Sequence, residues 1–295
     1  MNTKVIRNPA FTAAAILLLS NAYAQNDSVW KHSVQTGINL AQSSFSDNWK
    51  AGGVNSVAYG SFLNSLHTYD GTWWSFNSDL QLALGYVNNE RASIKSADRI
   101  FYDFKTGYRL ARHLNYFGSV NFMSQFADGY FYGEKADGSD SVVLISSFMA
   151  PAYLTTTLGI EYRPIDYFWA RLGLATLRQT IVLNDALSQQ KAYGLENAGD
   201  KLRNQLMLSL ILNYDKEVMH NIHLKVRTMT LWDYLKSNEA GDLVQRVDAG
   251  LVMKVNRYIN ANVQGVLLYD YHQDKAWQYS QMLSLGVMWS WSKGR

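Results

Sequence analysis

The chain has 295 residues, a formal charge of only +3 and no Cys, and 14% of it is aromatic. The absence of thiols excludes a disulfide framework and thiolate chemistry. A near-balanced charge without a basic run excludes a nucleic-acid-tracking surface, so no nucleic acid is expected as a partner.

Export is read first. Lys4 and Arg7 precede an apolar run from Ala10 to Leu19, and Ala22-Tyr23-Ala24 supplies a small-x-small cleavage pattern. Residues 1–24 are therefore expected to be a cleaved signal peptide, and residues 25–295 the mature domain. The apolar run is shorter than the roughly 20 residues of a spanning helix, and no later stretch is long enough either. Gln25 stands where a lipoprotein would carry Cys.

Period-two patterning begins after the leader and continues to the end. The clearest stretch places Trp74, Phe76, Leu80, Leu82, Leu84 and Tyr86 on one face, interrupted only by Ser78. Ser75, Asn77, Asp79, Gln81, Ala83 and Gly85 fall on the other. Such alternation means a strand with one apolar and one polar face. Twelve such strands are predicted, at 33–43, 54–69, 73–87, 98–111, 114–127, 149–163, 167–182, 201–214, 221–235, 243–255, 258–271 and 278–291. The connections after even-numbered strands are short, such as Asp70-Gly71 and Arg112-His113. Those after odd-numbered strands tend to be longer, at 44–53, 88–97, 128–148, 183–200 and 236–242, with 272–277 after strand 11 intermediate. Short periplasmic turns and longer extracellular loops, with aromatic rings gathered at both strand ends, describe an outer-membrane barrel. The predicted fold is all-β: a twelve-stranded antiparallel transmembrane β-barrel in the bacterial outer membrane, with outer-membrane lipid as its surroundings.

The last strand closes on Ser284-Leu285-Gly286-Val287-Met288-Trp289-Ser290-Trp291. Ser284, Gly286, Trp289 and Trp291 resemble the β-signal that barrel-assembly machinery recognises during biogenesis. Four residues come after the last aromatic, whereas many such proteins end on it. The chain also resembles a Bacteroidota family catalogued as domain of unknown function 3078. The residues that carry this are Ser44 to Ser56, Ala97-Asp98-Arg99, Gln125 to Tyr130, Ile145 to Leu154 and Leu158 to Pro164. The resemblance implies an outer-membrane protein and brings no established activity.

The polar faces carry Arg99, Lys105, Arg109, Arg163, Arg171, Arg203, Lys225, Arg227, Arg246 and Lys254, against Asp79, Asp103, Glu161, Asp233, Asp248 and Asp270. One charge facing lipid at mid-membrane costs roughly 2–4 kcal/mol, so this face must be the inside. The excess of cations fits a narrow path for small polar or anionic solutes. About 8 strands can be filled by side chains and 16–18 leave a channel, so twelve leaves pore and plug both open.

No catalytic constellation stands out. His32, His67, His113, His220 and His223 map near the periplasmic rim on different strands and turns, and His272 at the opposite end. Scattered histidines of this kind read as turn and rim residues. His220 and His223 lack the further ligands of a zinc site, and no phosphate loop or nucleophile elbow occurs. Asp47-Asn48-Trp49 with Gly52-Gly53 reads as a tight turn in preference to a calcium site. The expectation is a porin-like channel, not an enzyme, with no cofactor or metal. A structural or accessory barrel of an envelope complex is the second reading and a lipid hydrolase the third.

Overall fold

The computed structural model describes residues 30–43, 56–89, 93–134, 140–234, 243–256 and 258–293. The expected signal peptide (1–24) and the Asp47–Gly53 turn lie outside the described residues. The strands are β1 (Trp30–Ser43), β2 (Ser56–Asp70), β3 (Trp74–Asn89), β4 (Ser93–Ala111), β5 (Leu114–Ser124), β6 (Gly129–Glu134), β7 (Asp140–Ser146), β8 (Ala152–Ile165) and β9 (Phe168–Ile181). They continue as β10 (Leu202–Met219), β11 (Ile222–Asp233), β12 (Leu243–Lys254), β13 (Ile259–Asp270) and β14 (Asp274–Lys293). All but β6 and β7 form one closed antiparallel barrel, in the order β1-β14-β13-β12-β11-β10-β9-β8-β5-β4-β3-β2. Closure comes from β1 against β14, from His32↔Lys293 to Asn39↔Gly286. A closed ring leaves no strand edge, which is the condition for spanning lipid with strands.

Alternation fixes which face points out. Leu40 and Leu283 are 70% and 72% exposed, and Ile38, Leu158 and Leu285 stand beside them on the outer surface. An apolar band of this extent is incompatible with water and matches a bilayer. Trp74, Tyr108, Tyr116, Tyr162, Trp289 and Trp291 ring the short-turn end, and Trp232, Trp277 and Tyr279 the other. The protein is an outer-membrane barrel, and its short turns mark the periplasmic end.

The strands differ from the predicted ones mainly in length. β4 starts at Ser93, so the connection expected at 88–97 shrinks to 90–92. β10 runs on to Met219, leaving only His220-Asn221 as the turn. The connection between β13 and β14 is 271–273. Strand length, not loop length, takes up these residues, because a polar strand projecting beyond the membrane can keep its ladder.

The two longest loops, expected to be irregular, have structure of their own. In the first, β6 pairs antiparallel with β7, from Gly129↔Ser146 to Glu134↔Asp140. Residues 183–200 contain the short helix α1 (Asp185–Gln189), whose Leu187 amide is capped by Asn184 Oδ1 at 3.2 Å. Ala150, Val182, Leu187 and Leu195 are buried together, with Leu144, Ala192 and Tyr193 packed around them. This small core ties the β6–β7 pair to the helix over the outer mouth. Tyr193 donates its hydroxyl to the Ile145 carbonyl, and burial pushes its phenol up to about 12.

β9 carries a bulge. Gly173 pairs with Ser209, but the next matched pair is Thr176 with Met207, so Leu174 and Ala175 share one step. The extra residue reverses the inside–outside parity in the remainder of the strand. Trp169, Arg171 and Gly173 point in before it; Thr176, Arg178 and Thr180 point in after it. Gly159 and Gly173 face each other at this point, where a Cβ on Gly173 would overlap Ser209 Oγ.

Candidate functional site: the charged lumen

The interior is layered along the barrel axis. At the outer mouth, Arg178 Nη2 donates to Asp270 Oδ2 at 3.0 Å and its guanidinium covers the Tyr153 ring at 4.4 Å. Arg203 lies 2.9 Å from His272 Nε2, and Gln273 Nε2 donates to the Tyr153 hydroxyl at 2.9 Å. Gln205 reaches Asp233 Oδ2 at 3.4 Å. Beneath this polar layer Met207, Leu231 and Val244 are buried against Met229 and Leu268, a small apolar core inside the barrel.

The middle holds the densest charge. Glu161 accepts from Lys105 Nζ at 2.8 Å and from Arg171 Nε at 2.7 Å. Arg171 also approaches Asp103 at 3.5 Å and stacks over Trp169 at 3.9 Å. The side chains of Lys105, Glu161 and Arg171 are between 1% and 3% exposed, so the wall formed by β4, β5, β8 and β9 is dry. Fully paired charges with short hydrogen bonds are the form in which buried ions persist.

Other pairs reach across the lumen. Asp79 on β3 meets Lys225 on β11, and Arg99 on β4 meets Asp248 on β12, both at 3.7 Å. Asp103 on β4 meets Arg227 on β11, also at 3.7 Å. Asp248 is held from its own strand by Arg246 at 2.7 Å, and Asp79 by Gln81 at 2.9 Å. β3 and β11, like β4 and β12, stand six places apart round the ring. Strands spaced roughly 4.8 Å apart would make a round ring of twelve at least about 18 Å across. An acidic and a basic side chain cannot span that distance end to end. The ring is therefore flattened, with the β3–β4 wall drawn toward the β11–β12 wall.

One side of this flattened lumen stays wet. The Lys225 and Arg99 side chains are 43% and 32% exposed, and Leu66 on β2, which faces inward, is also exposed. Gly250 points inward with no atom within 4 Å of where its Cβ would be. At the periplasmic mouth a cavity of about 250 Å³ is lined by Lys105, Arg109, Arg112, His113 and Arg163, with Asp70, Glu161 and Asp166. Arg109 pairs there with Asp70 at 3.2 Å, both solvent-exposed.

Most of the charges assigned to the inner face from sequence thus meet one another: Asp79, Asp103, Lys105, Glu161, Arg171, Lys225, Arg227 and Asp248 in the middle. Arg203, Asp233 and Asp270 lie at the outer mouth. Lys254 lies apart, exposed at the periplasmic end of β12. On β14, Ser284 and Gly286 face in while Trp289 and Trp291 face out, opposite Thr36 and Val34 of β1. Arg178 escapes the sequence pattern, because the bulge that turns it inward has no periodic signal ahead of it. A second omission concerns the outer surface. His32 and His67, which look unrelated in the sequence, face each other on β1 and β2 with Nδ1 atoms 2.7 Å apart. His67 Nε2 lies 2.8 Å from Ser65 Oγ. Among the described residues no cluster of three or more metal-ligating side chains occurs.

Residues 40–130 match the family described as "Protein of unknown function (DUF3078)". The DUF3078 match runs from the end of β1 through β5 into β6, and includes Asp79, Arg99, Asp103 and Lys105. No curated protein matches the chain. Among solved structures, it is similar to the translocator domain of the autotransporter NalP from Neisseria meningitidis. That match has 13% identity over 95% of each chain and a TM-score of 0.33. It is also similar to an outer membrane channel from Pseudomonas putida F1, at 9% identity over 94% of this chain and 100% of that one, TM-score 0.41. A third similar structure is the CymD monoaromatic hydrocarbon channel, at 12% identity over 92% and 90%, TM-score 0.36.

Proposed function

We propose that this barrel is a small porin-like channel that passes small polar or anionic solutes across the outer membrane. The observation that carries this reading is the unequal filling of the lumen. The wall from β4 through β5 and β8 to β9 is dry and locked by bonds of 2.7–2.8 Å, while Arg99, Lys225 and Gly250 border open space. The pairs that join strands five or six places apart are the longer ones, at 3.7 Å, and separate before the dry wall does. The basic lining of the periplasmic cavity favours anions.

The same cross-lumen pairs favour a second reading, a closed barrel serving as a structural or accessory subunit of an envelope complex. Planar-bilayer recording of the purified barrel separates the two. Unitary conductance that rises when Asp79→Asn and Lys225→Met are combined supports the channel. Silence at every voltage, in wild type and in that variant, overturns it. For biogenesis, we propose that the barrel-assembly machinery reads Ser284, Gly286, Trp289 and Trp291 on β14. Changing both Trp to Ala is expected to lower the yield of folded barrel in cells, with unassisted folding in vesicles less affected.

A further inference from the structure

Three polar side chains stand in contact on the outer wall, apart from the lumen. Strand parity places Ser65, His67 and His32 outward, because Leu66 pairs with the inward-facing Asp79 and His32 pairs with His67. Their neighbours on this face are lipid-facing or belong to the girdle. Trp30 stacks on His32 with 5.8 Å between centroids, Tyr69 packs on Trp30 at 5.0 Å, and Phe76 on Tyr69 at 5.7 Å. Single hydroxyls recur on this face, at Thr36, Ser61 and Ser78, but two imidazoles in contact are a poor choice for a surface that selects mainly apolar and aromatic groups.

Their hydrogen bonds form one chain, whose direction is set by the histidine tautomers. If Ser65 Oγ–H donates to His67 Nε2, then His67 must carry its proton on Nδ1. That Nδ1–H then donates to His32 Nδ1, whose own proton is on Nε2. The distances are 2.8 and 2.7 Å, within the reach required of a nucleophile, its base and the group that orients the base. Ser65 and His67 are two residues apart on one strand, so their side chains point the same way. The ladder between β1 and β2 supplies His32 as the third member.

We propose that Ser65, His67 and His32 form an acyl-transfer site that hydrolyses membrane-lipid acyl esters in the periplasmic leaflet. The site goes beyond the channel reading and shares no residue with it. Ser65 and His67 lie three to five residues from the periplasmic end of β2 at Asp70. At roughly 3.3 Å per residue along a tilted strand, this sets them just inside the aromatic girdle, at the level of lipid ester groups. Ser65 Oγ attacks the ester carbonyl carbon as its proton passes to His67 Nε2. The bond from that carbon to the alcohol oxygen breaks, and the departing lysolipid takes the proton from His67. Interfacial water then attacks the acyl-Ser65 ester by the same proton route. It releases a free fatty acid and restores the Ser65 hydroxyl. His32 does not touch the ester; it fixes the His67 tautomer and stabilises the imidazolium.

The test uses the full mature chain folded into vesicles of phosphatidylethanolamine and phosphatidylglycerol. Two quantities are read: fatty acid released, and covalent labelling by a fluorophosphonate with the labelled residue located by mass spectrometry. Wild type is expected to release fatty acid and to carry the label on Ser65. S65A is expected to abolish both. H67A is expected to lower turnover by about 100-fold or more, and H32A less than H67A, with His32→Asn restoring part of the loss. H220A, in a distant turn, is expected to leave turnover unchanged. Folding of each variant is checked by the heat-dependent shift in gel mobility. Wild-type barrel that is folded yet neither labels nor releases fatty acid overturns the proposal, as does label found on any residue other than Ser65.

Discussion

Replacing Glu161 by Gln removes one charge from the driest part of the lumen and keeps the side-chain volume. The wild-type cluster sets two carboxylates, Asp103 and Glu161, among four cations, Lys105, Arg163, Arg171 and Arg227. Arg171 keeps Asp103 at 3.5 Å and the Trp169 ring at 3.9 Å after the change. Lys105, 3% exposed, loses its partner at 2.8 Å. Breaking one side of a buried pair typically costs about 3–5 kcal/mol, because the other charge stays buried without compensation. The expected outcome for E161Q is a loss of about 3 kcal/mol in reversible urea titration of the barrel in vesicles, monitored by Trp fluorescence. That is more than about 100-fold in the folding equilibrium. Adding Lys105→Met removes the stranded ammonium and is expected to restore at least half of the loss. A single-variant loss below about 1 kcal/mol, the level of an exposed pair, would show the network to be hydrated. The distinction between a dry and a wet wall would then fail.

Other parts of the structure give three more expected outcomes. Gly173→Val is expected to prevent folding, since even a Cβ would overlap Ser209 Oγ, whereas Gly265→Ala, with nothing within 4 Å, folds normally by the gel-mobility assay. A Cys placed at position 250, in a chain with no other thiol, is expected to react with a negatively charged thiosulfonate reagent and reduce conductance; unchanged current after complete labelling argues against a path along β12. The third concerns pH. Lys201 beside Asp185 holds that carboxyl below its ordinary value of 3.8, through a hydrogen bond first and charge second. A depressed folded value means the contact stabilises the outer loop above the ordinary carboxylate range and is lost as pH falls through the folded value. Amide exchange in residues 183–200 should therefore quicken on acidification beyond its intrinsic pH dependence, and Asp185→Asn should remove that excess.

What the sequence makes legible is whatever repeats with period two. Trp74 to Tyr86 exposes both faces of β3, and the parity of Asp103, Lys105 and Arg171 comes from the same rule. Arg178 is illegible because one extra residue at Leu174–Ala175 reverses the rule without changing composition. The β6–β7 pair and the helix at Asp185–Gln189 are short, and each depends on a shared core with Val182 and Leu195 that no local window contains. His32 and His67 are separated by 35 residues, and only the β1–β2 register brings them together. The histidines are visible in the sequence; their partnership is a property of strand pairing.

The flattened ring has a geometric consequence for gating. Twelve ladders fix the perimeter of the barrel, but they leave the enclosed area free to vary. Among closed outlines of one perimeter the circle encloses the most area. Rounding the ring therefore widens the lumen while every interstrand hydrogen bond is kept. The contacts surrendered are the three pairs at 3.7 Å that tie Asp79, Arg99 and Asp103 to the far wall. Lateral tension or a change in bilayer thickness, acting on the outline from outside, would do mechanical work on the same coordinate that opens the lumen inside.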